Sequence, residues 1–140
     1  MSDDGSSPVA HTRYGDLSLD QIAEIQPGLA RLMAEVSERF WILYYAAKAG
    51  NWEMARHEFG EMRKALQIAG LTRPKYKEPL EGFTAEKLKP IENAVRAKDW
   101  PAFETAFHEA AGAANEMHGE LGYQYIVWQL PDAPPAHLKL

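Results

Sequence analysis

His118 closes the run Ala114-Asn115-Glu116-Met117-His118, late in a helical pattern, and two glycines then lead into the aromatic segment GYQYIVWQLP. An imidazole in that position can coordinate iron or another metal without any covalent anchor. The plainer reading weighs more: a histidine at a helix C-terminus, where a positive ring meets the negative end of the helix dipole. Met117 is a soft donor next to it. Adjacent residues project about 100° apart on a helix, so the two cannot readily reach one ion, and core packing is the better account of Met117.

Glu53, His57 and Glu61 follow one another at i, i+4, i+8 and place two carboxylates around an imidazole on one helical stripe; Glu104 and His108 repeat half of that pattern. Such spacing suits a shared metal or a polarised base. The di-iron signature of ferritin-like bundles is instead Glu-x-x-His on two helices, and that spacing is absent from the chain. Both stripes lie outside the apolar seam described below, so solvated helix faces are the expectation. Arg39 borders that seam. It can grip an anionic ligand with its planar fork or pair with an acidic neighbour, and pairing is preferred. Trp41, Tyr44 and Tyr45, with Tyr123, Tyr125 and Trp128, form an aromatic reserve with polar tips, and Phe40 stands beside them. Aromatics at helical spacing are usually core, but these also define a candidate ligand pocket with Arg39.

Other chemistry is missing. The chain has no cysteine, so disulfides, thiolate zinc sites, iron–sulfur clusters, thiol nucleophiles and thioether-linked haem are excluded. There is no phosphate-cradling glycine loop, no nucleophile elbow and no zinc-protease spacing. A formal charge of −5 with scattered Lys and Arg lacks the clustered basic face of a nucleic-acid binder. No apolar run has membrane-spanning length. An enzyme is therefore the weakest reading.

The elements that must position these residues are helices. Ser18-x-x-Gln21 reads as a capping box that opens a short helix to Gln26, and Pro27 stands as the first residue of the next. From there to Gly50, Leu29, Met33, Val36, Phe40, Leu43 and Ala47 recur with a mean period of 3.5, the seam of a left-handed bundle. Asn51 caps a second helix with Trp52, Ala55, Phe59, Met62, Leu66 and Ala69 inward, stopped by Gly70. The link LTRPKYKEPLEGF, with two prolines and many charges, is expected to be a surface connection. Thr84 opens a third helix with Leu88, Ile91 and Val95 inward, bent or divided at Pro90. Asp99 caps the last, whose seam is Phe103, Phe107, Ala110, Ala114, Met117 and Leu121.

The corners AGNWEMARHEF and AKDWPAFETAF are alike, matching Trp52 with Trp100 and Phe59 with Phe107. They also resemble tetratricopeptide corners, but two units fall short of the three a solenoid needs. Short corners force antiparallel neighbours. The fold class is thus all-α, an antiparallel up-down-up-down four-helix bundle: residues 1–17 a flexible leader, 18–131 the bundle, 132–140 a tail that continues the aromatic segment.

In this setting Ala114-Asn115-Glu116-Met117-His118, with GYQYIVWQLPDAPP after it, resembles the end of small bacterial class II, cytochrome c′-like bundle proteins, whose final helix carries Cys-x-x-Cys-His before an aromatic, proline-rich tail. The resemblance extends loosely over residues 27–131 and most closely over 113–135. It implies that Ala114 and Met117 occupy the two cysteine positions, facing inward, and that His118 occupies the position of the proximal iron ligand. Covalent attachment of haem is chemically impossible here. Attachment in that family takes place outside the cytoplasm, and MSDDGSSPVAHTRYGD has neither the basic nor the apolar region of an export signal, so a cytoplasmic, haem-free relative is expected. The leading function is a non-catalytic bundle that binds a small apolar or aromatic ligand or a protein partner. The alternatives are non-covalent haem or metal binding through His118, or an accessory subunit of an oxidoreductase or degradative pathway. Pairing of two copies through the first two helices is the fold-level analogy for a homodimer.

Overall fold

The structure, a computed structural model, describes residues 8–140, and helix dominates it. The leader assigned to residues 1–17 is corrected in its second half. Pro8–Thr12 (β1) and Gly15–Ser18 (β2) form an antiparallel hairpin, while residues 1–7 lie outside the described residues. Gly15 adopts φ +134°, which closes the turn and which side-chain-bearing residues rarely adopt. The Thr12 hydroxyl donates to the Gly15 carbonyl at 2.7 Å. Composition alone missed this hairpin because its stability comes from turn chemistry, not from a run of apolar residues.

Ser18 caps α1 (Leu19–Glu24) through the expected capping box, with Gln21 bonding back to the Ser18 amide at 2.8 Å. Helix α2 (Leu29–Lys48) begins two residues after Pro27, with Gly28 rather than proline at its entry. Asn51 caps α3 (Trp52–Thr72) by accepting from the Met54 amide at 3.1 Å, and Asp99 caps α6 (Trp100–Glu120) by accepting from Ala102 at 3.2 Å. Each short side chain satisfies one of the amides that a helix start leaves without a partner.

Between α3 and α6 the chain is more helical than its prolines suggest. A 3₁₀ turn (Pro74–Tyr76) leads into α4 (Lys77–Phe83), a π turn (Thr84–Leu88) and α5 (Lys89–Ala97). One expectation is corrected here. Gly70 does not stop α3. It is buried, and a Cβ built there would stand 3.3 Å from the Cα of Lys77, so the glycine lets α4 approach closely. The segment from Thr84 is divided next to Pro90: the π turn ends at Leu88 and α5 starts at Lys89, with the proline in its first turn, where the missing N–H is no loss. Lys98, in the left-handed conformation at φ 54°, ends α5.

Helix α2 packs most extensively along α3, α5 lies against α6 and α3, and α2 also meets α6. Most of the predicted seam is core: Phe40, Leu43 and Ala47 from α2; Ala55, Phe59, Met62, Leu66 and Ala69 from α3; Leu88, Ile91 and Val95; and Phe103, Phe107 and Ala110 from α6, whereas Leu29, Met33, Val36 and Trp52 are half-buried and Leu32 is the buried residue early in α2. The last two turns of α6 depart from the seam. Ala114 and Met117 are only half-buried and Leu121 is exposed, so the inward placement read from period alone fails at that end.

Candidate functional site

The half-buried end of α6 is covered by the chain's own tail, which has neither helix nor strand after Glu120. Asn115 holds both backbone groups of one tail residue. Its side-chain oxygen accepts from the Trp128 amide at 2.7 Å, and its amide nitrogen donates to the Trp128 carbonyl at 3.1 Å. One turn further, His118 Nδ1 lies 3.0 Å from the Ile126 carbonyl. From α2, Tyr45 donates to the Pro131 carbonyl at 2.6 Å and Trp41 Nε1 donates to the Ala133 carbonyl at 2.8 Å. The Trp128 indole in turn donates to Ser37 Oγ at 2.9 Å. A strap that cannot form a ladder must satisfy its backbone with side chains, and here α2 and α6 supply them.

Aromatic packing reinforces the latch. Phe40 stacks on Phe107 with ring centroids 4.0 Å apart, and Trp128 lies 5.0 Å from Phe40 and 6.1 Å from Phe107. Tyr44 bridges Tyr45, Trp100 and Phe107. Tyr123 and Tyr125 pack edge to face, and the Tyr123 hydroxyl lies 3.2 Å from that of Tyr76. That bond, and Lys75 after it, hold the Tyr76 phenol below its ordinary value, while the same bond pushes Tyr123 up. The candidate pocket residues Phe40, Trp41, Tyr44, Tyr45 and Trp128 are therefore brought together, with the strap among them. Tyr125 is exposed on the strap's outer side.

Arg39 belongs to a different contact. Its guanidinium bonds Glu35 and Glu58, each at 3.1 Å, and Glu58 is buried on α3. Burial alone would lower the Arg39 pKa; the hydrogen bonds to the two carboxylates and their charges outweigh it and raise it above its ordinary value. The pairing preferred for Arg39 is the arrangement observed. Glu58 gave no signal in the sequence, because a lone Glu between apolar seam positions reads as a solvated neighbour.

The stripe of Glu53, His57 and Glu61 faces outward: Glu53 and His57 are exposed, and Glu61 pairs with Lys64 at 3.0 Å. Among the described residues no group of three His, Asp or Glu side chains is placed to hold a metal. At His118 the bond from Nδ1 leaves Nε2 as the ring nitrogen for any metal, the orientation that ligating histidines adopt when a carbonyl fixes their tautomer. The flank beside it is filled by the Phe40, Phe107 and Trp128 rings, so a macrocycle placed there would have to displace Trp128. Asn115, which holds the strap, was given no role by the sequence. Its one signal was its place in Asn-x-x-His, which puts both polar side chains on one helical stripe.

No protein-family model matches the chain, and neither a characterised protein nor a solved structure matches it.

Proposed function

We propose that the protein is a non-catalytic binding module: an up-down-up-down bundle, cytochrome-like but without covalent haem, whose α2–α6 flank receives an extended segment of a protein partner. The three-residue corner between α2 and α3 and the two-residue corner between α5 and α6 support that connectivity, because they leave no length for a crossover. One observation carries the binding reading. Asn115, His118, Tyr45 and Trp41 all bond backbone groups of the strap, so the flank grips an extended chain by its main chain, with one aromatic side chain, that of Trp128, seated against Phe40 and Phe107. Recognition of peptides through their main chain is a recurring binding mode, and the tail marks where such a partner would lie.

The test is a fluorescent peptide of residues 122–135 added to the full-length protein and to its Trp128→Ala variant. Loosening the resident strap should let the variant bind the peptide at least about tenfold more tightly than the wild type, and a further Asn115→Ala change should remove that gain. Equal affinity for wild type and Trp128→Ala, or an undiminished gain without Asn115, would sink the reading. Native mass spectrometry of gently purified protein would show whether the occupant is a foreign chain, the tail of a second copy or a small apolar or aromatic ligand.

A second reading rests on His118 Nε2: non-covalent haem or a metal bound as the strap is displaced. It requires a Soret band or bound metal that disappears in His118→Ala. A colourless, metal-free protein after incubation with haemin or with divalent ions counts against it.

A further inference from the structure

On the far side of α3 from Glu58's contact with Arg39, an open cleft of about 750 Å³ lies between the first half of α3 and the end of α5. Its volume falls in the range of small-molecule sites. The walls combine two kinds of surface. Trp52 offers a half-buried apolar face, the buried core residues Phe59 and Val95 reach the wall only by an edge, and Gly60 adds open floor, since a Cβ built there meets nothing within 4 Å. The rim carries Arg56, Arg63, Arg96 and Lys98 against only Glu53 and Glu92. Four cations against two carboxylates is a local excess of positive charge, in a chain whose formal charge is −5.

Glu92 explains how the excess is held in place. Its carboxylate takes Arg63 at 3.1 Å, Arg96 at 2.7 Å and, from outside the cleft, Lys89 at 3.1 Å. One negative charge thus positions three positive ones and neutralises a third of them. Each guanidinium presents five N–H donors in a plane, so Arg63 and Arg96 retain donors after bonding Glu92. Arg63 also leans over the Phe59 ring, 6.0 Å from its centroid, which fixes its stem. Among the described residues neither Arg56 nor Lys98 forms an ion pair.

We infer that this cleft binds a small anionic molecule with a flat apolar body: the oxyanion between Arg63, Arg96 and Arg56, the body against Trp52, Phe59 and Val95 over the Gly60 floor. The shared chemistry is an aromatic phosphate or carboxylate. The site is separate from the strap flank and stands independently of what that flank binds.

The test is a titration of the full-length protein, followed through the Trp52 indole and Gly60 amide signals by ¹H–¹⁵N NMR. The probes are phenyl phosphate, benzoate, inorganic phosphate and, as the uncharged control, benzyl alcohol. Saturable shifts at both reporters are expected with phenyl phosphate or benzoate, and the tighter of the two assigns the headgroup. Inorganic phosphate should bind at least about tenfold more weakly for lack of a body, and benzyl alcohol more weakly for lack of a charge. Arg63→Gln and Arg96→Gln should each weaken binding about tenfold or more. Gly60→Leu keeps a good helix former while filling the floor, so it should abolish binding without unfolding the protein. The inference is overturned if neither anionic aromatic shifts Trp52 and Gly60 saturably, if benzyl alcohol binds as well as phenyl phosphate, or if a folded Gly60→Leu protein binds unchanged.

Discussion

Asn115→Ala isolates the latch that closes the tail onto α6. The substitution removes two hydrogen bonds, of 2.7 and 3.1 Å, to the amide and carbonyl of Trp128, and leaves the Phe40 and Phe107 contacts of the indole untouched. A protein hydrogen bond contributes about 0.5–1.5 kcal/mol net, so two together give about 1–3 kcal/mol. Water can reach a half-buried Trp128 backbone, which keeps the cost from rising toward that of two buried orphans. The loss falls on docking of the strap rather than on the core, whose seam lies elsewhere. Local opening of the strap should therefore become roughly fivefold to a hundredfold more frequent. Native-state hydrogen exchange reads this directly at the Trp128 indole N–H, bonded to Ser37, and at the Tyr123 amide, bonded to the His118 carbonyl. Core amides of α3 such as that of Met62 should keep their rates. Two results would refute the reasoning: unchanged exchange at the indole, or an equal acceleration at Met62, which would make strap and core one cooperative unit.

Phe107→Ala removes a fully buried ring stacked on Phe40 and should cost about 3–5 kcal/mol in chemical denaturation, far more than any strap variant. Two α3 glycines should behave oppositely: Gly60→Ala, with open space around its Cβ, should stabilise by about 0.5–1 kcal/mol, whereas Gly70→Ala should lose that benefit against Lys77, as thermal melts of the pair would report. Burial alone would raise the Glu92 carboxyl, yet bonding to Lys89 and the charges of Lys89, Arg63 and Arg96 hold it below the usual carboxylate value. A depressed folded pKa contributes stability above the unfolded value and loses it as pH falls through the folded one. The gap between wild type and Glu92→Gln should thus be full at neutral pH and close as pH falls below the usual carboxylate value; a gap independent of pH would reject the charge-based account.

The seam residues were legible because each repeats a local rule. Ala55, Phe59, Met62, Leu66 and Ala69 recur at helical spacing, which marks one stripe of α3, and that stripe is buried along its length. Ser18, Asn51 and Asp99 were legible as caps because a cap acts within three residues. Gly70 misled for the same reason: glycine signals a helix end locally, and only the approach of Lys77 reveals that its missing Cβ makes room for another segment. Ala114 and Met117 continued the period, but period fixes a stripe on a helix and not whether a neighbour reaches it.

What the sequence determined by itself was a helical chain, its caps, its core positions and the impossibility of thiol or thioether chemistry. What the tertiary structure decided was the use of Asn115, His118, Trp41, Tyr45, Arg39 and Glu92. Residues of α2 hold the strap across 86 to 92 positions, Asn115 and His118 of α6 hold it across 13 and 8, Arg39 meets Glu58 across 19, and Arg63 meets Glu92 across 29. No local window contains both partners of such a bond. Periodicity and capping arise from forces within one or two turns, whereas these contacts exist only once the helices have packed and brought distant side chains and backbone into reach.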